Sequence, residues 1–188
     1  MDGALKREPY YTYEDWLEID DDNFYELIDG ELYMMAPPNA HHQELVSEFM
    51  KPLLIFLTGK PCKVFPAPFG VRLYKNKVFL PDITVVCDKS QLGEQGCEGA
   101  PEFIIEILSL STSDYDKFTK YYEYLRAGVL EYWIVDPIDK TVFACRLTNG
   151  VYVTDVYNSK SIAPVKTLPG CEIDLSQVFP VEAASHTA

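Results

Sequence analysis

Residues 103–108 read FIIEIL, an apolar run with a single carboxylate inside it. Continuous hydrophobicity of this kind suits a central β-strand covered on both faces. Strand geometry puts Ile104, Glu106 and Leu108 on one side. An ionised Glu106 in that setting is costly unless a cation or hydrogen bonds compensate it. The chain therefore has to fold so that positive charge, or a set of donors, reaches Glu106.

A second carboxylate poses the same problem. In LPDITVV (80–86), Asp82 shares a strand face with Thr84 and Val86. Two carboxylates on consecutive apolar strands converge if those strands are neighbours. Hard oxygen ligands that leave positions open for water and phosphate suit Mg²⁺ or Mn²⁺. Such an ion acidifies a bound water and neutralises charge growing on a phosphate during phosphodiester cleavage.

A lysine beside the pair would orient the water and support the phosphorus. STSDYDKFTKYYEYLRAG (111–128) predicts a helix directly after the Glu106 strand, with Ser113 and Asp116 as a capping box and Gly128 at its end. Asp116, Lys120 and Tyr124 are spaced four apart on one helix face, which makes Lys120 the candidate. Structural readings stand beside these. Asp82 can cap a turn after Pro81, Glu106 can pair with Arg126 or Lys120, Asp116 can cap its helix, and Tyr124 can simply pack. On the metal-site reading, Lys120→Ala leaves the fold nearly intact, and Glu106→Gln raises the melting temperature by relieving carboxylate repulsion.

Elsewhere the chain gives clear local signals. TYEDWLEI (12–19) predicts a short helix with Trp16 and Leu17 inward, and YELIDGELYMM (25–35) a hairpin turning at Asp29-Gly30. Leu45, Phe49, Leu53 and Phe56 form one stripe of a helix over about 40–58, which Pro52 kinks or breaks. Residues 62–88 read as strands around a turn at 75–77, and EYWIVDP (131–137) as another. TVFACRL and VYVTDVY form a closing hairpin over 141–157 across Thr148-Asn149-Gly150, and residues 181–188 are a frayed tail. The economical architecture is a mixed β-sheet flanked by helices, an α/β class.

With 188 residues the chain fits one domain, 1–188, with its core at about 13–147. No apolar run approaches the roughly 20 residues of a membrane helix. MDGALKREPY lacks the apolar stretch of a signal peptide, so a cytoplasmic location is expected. The five cysteines, at 62, 87, 97, 145 and 171, contain no CxxC pair and suggest reduced, mostly buried thiols.

A net charge of −13 opposes binding to phosphate backbones. Its distribution is uneven: six basic residues and no acidic one lie between Phe49 and Pro81. Lys63, Arg72, Lys75 and Lys77 within that segment are candidate nucleic-acid contacts, unless they are only the solvated rim of a hairpin.

Pro81-Asp82, the EIL-S of Glu106–Ser109, the segment from Ser111 to Pro137 and the early YELIDGEL together resemble the Uma-type restriction-endonuclease-like family of the PD-(D/E)XK nuclease superfamily. The resemblance runs from about Tyr13 to Leu147. It implies a restriction-endonuclease-like core, Mg²⁺-dependent cleavage of DNA, and often a homodimer. Asp82 matches the motif aspartate and Glu106 its second acid. The motif lysine belongs two residues after Glu106, where Leu108 stands; in this superfamily it can move to the following helix, and Lys120 holds the matching place. Glu31 matches a recurring acidic position of the family, with a solvent-facing hairpin role as the alternative. His42-Gln43 matches its HQ at the start of the first long helix, where a surface or capping role is equally compatible.

Signatures of other enzymes are missing: there is no GxSxG, HExxH, GxGxxG, or Walker loop around Gly59-Lys60. Paired carboxylates also serve glycosidases, but those have no use for the helix lysine and need a larger cleft. The non-enzymatic alternative is a nuclease scaffold retained as a catalytically inactive DNA- or protein-binding module.

Overall fold

Asp29 and Gly30 both adopt positive φ, 52° and 85°. That is the turn geometry that matches the twist of a two-residue hairpin, and glycine reaches it without strain. It joins β1 (Tyr25–Ile28) to β2 (Glu31–Met34). Ahead of them, α1 (Tyr13–Leu17) opens with a capping box between Thr12 and Asp15. Trp16 docks it by donating its indole N–H to the Tyr25 carbonyl at 2.7 Å. Leu17, expected inward, is 42% exposed, because five residues make too little helix to bury both neighbours. The computed structural model from which these observations come describes residues 10–109 and 114–179, with side chains in the helix after 109 described from Phe118 onward. The expected Ser113–Asp116 capping box and the 181–188 tail lie outside the described residues.

Helix α2 (Ala40–Leu57) starts at Asn39, whose side chain accepts from the His42 N–H, and runs uninterrupted through Pro52. Leu45, Val46, Phe49, Leu53 and Leu57 form its buried stripe. The chain then builds β3 (Lys63–Pro66), β4 (Gly70–Tyr74), β5 (Lys77–Phe79), β6 (Ile83–Val86), β7 (Gly96–Glu98) and β8 (Phe103–Ile107). Helix α3 (Asp114–Ala127) ends at Gly128, whose φ of 91° disfavours any residue with a Cβ. β9 (Glu131–Asp136), β10 (Thr141–Thr148), β11 (Val151–Asn158), β12 (Ile162–Val165), β13 (Cys171–Asp174) and α4 (Leu175–Val178) complete the fold.

The strands of 62–88 do not share one sheet. β3 and β6 join the larger sheet, ordered β11-β10-β9-β8-β6-β3, while β4 and β5 join the smaller, ordered β2-β1-β5-β4-β7. Both sheets are mixed, with β8 parallel to β9 and β4 parallel to β7. One face of the larger sheet packs Ile83, Val85, Phe103, Ile105 and Trp133 against α2 and against the segment from Ala163 to Phe179. That last segment extends the core well past the expected limit near 147. The other face packs Ile104, Tyr132 and Cys145 against Tyr124 of α3 and against Val71 and Phe79 of the smaller sheet. β8 is therefore covered on both sides, as its sequence requires.

The cysteine expectation is corrected in part. Cys97, Cys145 and Cys171 are buried thiols, but Cys62 and Cys87 form a disulfide. The β3–β6 register pairs Lys63 with Val86, so the flanking cysteines face each other across the two strands.

Candidate active site

The larger sheet decides where the carboxylates stand. β6 and β8 are antiparallel neighbours with Ile83 opposite Ile105, so Asp82 enters the sheet beside Glu106. The backbone ladder stops there: the next N–H, from Ile107, donates to Asp82 Oδ2 at 2.7 Å instead. A strand-edge carboxylate thus fills a ladder position and is fixed by it. On its other side, His42 Nε2 approaches Asp82 Oδ2 to 3.2 Å from the first turn of α2. The hydrogen bond to Asp82 holds the His42 imidazole above its ordinary pKa against the opposing effect of burial.

Glu106 is met from α3. Its Oε1 accepts from Lys120 Nζ at 3.0 Å and from the Tyr124 hydroxyl at 2.9 Å. Lys120 and Tyr124, one helical turn apart, therefore share a carboxylate oxygen. The Lys120 amine also lies 2.8 Å from Glu26 Oε1, which in turn accepts the Leu80 N–H at 3.0 Å. The side chains of Lys120, Glu106 and Glu26 are only 14%, 12% and 5% exposed. Lys120 is a buried bridge between two sheets.

Charge in this crevice is unbalanced. Burial, with Asp82 and Glu26 nearby, pushes the Glu106 carboxyl up to about 7 despite the pull of Lys120. Burial alone would lower the Lys120 amine, but Glu106 and Glu26 more than offset it and hold it above the ordinary value. The folded Glu106 thus binds its proton more tightly than an unfolded glutamate with a pKa of 4.5. The stabilisation is fully present below about pH 4.5 and is lost as pH rises through about 7. Thermal melts of metal-free protein should show this decline, and Glu106→Gln should flatten it. An unchanged slope in the variant would assign the titration to another group.

The remaining sequence candidates divide. Tyr124 is fully buried, packing edge-on against Phe79 and Tyr132 while its hydroxyl binds Glu106, so packing and site roles coincide. Arg126 pairs with Glu123 rather than Glu106, and Asp116 has its side chain outside the described residues. Glu31 is not brought to the cluster. It is exposed, accepts from the Tyr33 hydroxyl at 3.0 Å, and lines an open cavity of about 490 Å³ with Tyr11, Asp21 and Tyr25. Glu26, five residues earlier in the same hairpin, takes the buried position.

The proposed nucleic-acid contacts also separate. Lys63 and Lys75 are exposed. Lys77 is buried, with its amine 2.8 Å from Glu123 and 3.1 Å from Asp29. Arg72 pairs with Glu98 at 3.3 Å and stacks on Tyr13. Both charges are already paired with carboxylates of the fold.

Glu26 escaped the sequence reading because alternation in YELI would leave it on the solvent side. Its signal was the one used for Glu106: a lone acid within an apolar strand. His42 carried only a motif match, since nothing in 40–58 indicates that the helix start abuts Asp82.

Comparison with known proteins bears on the fold and the family. A solved structure from Anabaena variabilis ATCC 29413, described as "a putative nuclease", superimposes with a TM-score of 0.75 at 21% identity, covering 90% of this chain and 97% of that one. The likeness establishes that the two chains share a fold. An uncharacterized protein of Synechocystis sp. (strain ATCC 27184 / PCC 6803 / Kazusa), slr1290, is 23% identical over 112 residues, and the match spans 59% of each protein's length. The model of the Uma2 family, described as "Putative restriction endonuclease", matches residues 10–176. That stretch contains Glu26, His42, Asp82, Glu106 and Lys120, and the chain belongs to the Uma2 family.

Proposed function

We propose that the chain is a divalent-metal-dependent endonuclease that hydrolyses phosphodiester bonds in DNA. The observation that supports it best is the meeting of Asp82 and Glu106 across two neighbouring strands, with the Lys120 amine 3.0 Å from Glu106.

The donor set fits Mg²⁺ or Mn²⁺. Among the described residues, no three or more of His, Cys, Asp and Glu are arranged to enclose an ion. Mg²⁺ does not need such a cage: it is commonly held by one or two carboxylates, with water and substrate phosphate at its other positions. Glu26 and Glu106 share one buried amine, and Glu106 resists ionisation because it is buried and because the charges of Asp82 and Glu26 lie nearby. A cation held by Asp82 and Glu106 would relieve this. When bound, it would supply an acidified water and would neutralise charge on the phosphate.

The chain's own groups have defined tasks in this reading. The Ile107 N–H and His42 fix one oxygen of Asp82, so that its carboxylate keeps a single orientation. Tyr124 and Lys120 do the same for Glu106. Lys120, an ammonium with three donors of which the two carboxylates use two, orients the attacking water or steadies a phosphate oxygen. Preorganised charge of this type needs no rearrangement during reaction.

Nicking of supercoiled plasmid in Mn²⁺ is the direct test. The expected result is activity in the wild type and its loss in both Glu106→Gln and Lys120→Ala. Activity that survives both substitutions would assign cleavage to a contaminant or another centre. The acidic balance of −13 favours a second reading, an inactive nuclease-fold module. Mn²⁺ calorimetry separates the two, because such a module binds no ion at Asp82. A homodimer, tested by light scattering, is the proposed assembly.

A further inference from the structure

The strand register extends the site beyond its charged groups. Glu106 pairs with Ile134 on β9, Ile134 with Phe143 on β10, and Phe143 with Val156 on β11. Directly opposed residues of neighbouring strands share a sheet face. These four side chains therefore form one row, with Glu106 at its inner end. At about 4.8 Å per strand, Phe143 stands roughly 10 Å from Glu106 along the row and Val156 roughly 14 Å. Ile134 is half-buried, Phe143 is 37% exposed and Val156 61% exposed. The row thus runs from acid to apolar and from buried to exposed.

Charge decides what such a row can hold. The chain is strongly acidic, and Arg72, Lys77 and Lys120 are all paired with carboxylates. Ionic attraction to a phosphate backbone is consequently weak, and a DNA substrate has to be held by other forces. Stacking of a base on an aromatic ring is one such force, and it works for any base because each has a π-face. Paired DNA buries those faces in its own stack and offers only edges and phosphates. Unpaired nucleotides expose them.

We propose that Ile134, Phe143 and Val156 form a stacking shelf for an unpaired nucleobase beside the scissile phosphodiester, so that single-stranded or locally opened DNA is the substrate of this site. The substrate assignment rests on the nuclease reading of Asp82 and Glu106; the stacking contact does not.

The test uses the full chain without divalent metal and a short single-stranded oligodeoxynucleotide carrying one fluorescent adenine analogue. Wild type should quench the fluorophore and bind this strand more tightly than its duplex. Phe143→Ala should weaken single-strand binding about tenfold and remove most of the quenching, and Phe143→Trp should restore both. In Mn²⁺, Phe143→Ala should lower single-strand cleavage by a similar factor, whereas Asp82→Asn should lose cleavage but keep the quenching. Wild-type quenching by Phe143→Ala, or preference for the duplex, overturns the shelf. A Val156→Asp variant that falls from two chains to one in light scattering also overturns it, by assigning the face to a second copy. If Phe143 behaves as expected while Asp82→Asn cleaves normally, the shelf stands and the carboxylate mechanism fails.

Discussion

Asp82→Ala abolishes Mn²⁺ binding in calorimetry and lowers plasmid nicking by about a thousandfold or more: this is the expected outcome if the carboxylate pair holds the ion. Asp82 is 16% exposed and accepts both the Ile107 N–H and His42 through one oxygen. Truncation therefore has a structural cost as well, because it strands a buried backbone donor, at roughly 1–3 kcal/mol. Asp82→Asn separates the two effects. Its amide oxygen can still accept from Ile107, so the melting temperature should stay near that of the wild type while ion binding is lost. Equal Mn²⁺ affinity in wild type and Asp82→Asn would end the metal-site reading.

The second large effect is on stability. Lys120→Ala should destabilise the protein by about 3–5 kcal/mol at neutral pH, because it leaves Glu26 and Glu106 buried without their shared cation. For a chain of this size that corresponds to a fall in melting temperature of roughly 10 °C. The loss should shrink in acid, where Glu106 takes up a proton. Glu106→Gln combined with Lys120→Ala should cost less than the sum of the single changes, since the first removes a charge that the second exposes. A melting temperature for Lys120→Ala within a degree or so of wild type would show that water or neighbouring dipoles, not the amine, sustain the two carboxylates. The near-neutral outcome expected from the sequence treated Lys120 as a solvated residue of an amphipathic helix, whereas in the structure it is buried between two carboxylates. The smaller sheet closes over that face and supplies Glu26.

Local readings held where local forces decide. The two hairpins turn at Asp29-Gly30 and Asn149-Gly150, where positive φ is required. The apolar stripe of α2 faces the core, and β8 is the covered strand that its composition demands. Readings that depended on distant partners fared differently. Glu31 was the acid of the first hairpin that the sequence singled out, and only the pairing of β1 with β5 buries Glu26 instead. Cys62 and Cys87, 25 residues apart, meet only through the β3–β6 pairing. Lys77 reads as a basic rim residue until Glu123 of α3 and Asp29 of the first hairpin close around it.

Legible in the letters alone were a carboxylate inside a central apolar strand, a second in an earlier apolar strand, and a following helix that bears Lys120. Hydrophobic periodicity and turn chemistry act over a few residues, and they leave their mark in the order of the letters. Which groups compensate the buried charge was decided only in the tertiary structure. Electrostatic balance in a dry crevice depends on atoms within a few ångströms, and here Glu26, His42 and Lys120 come from three separate stretches of chain. Their convergence is a property of sheet order and helix docking, which no local pattern encodes.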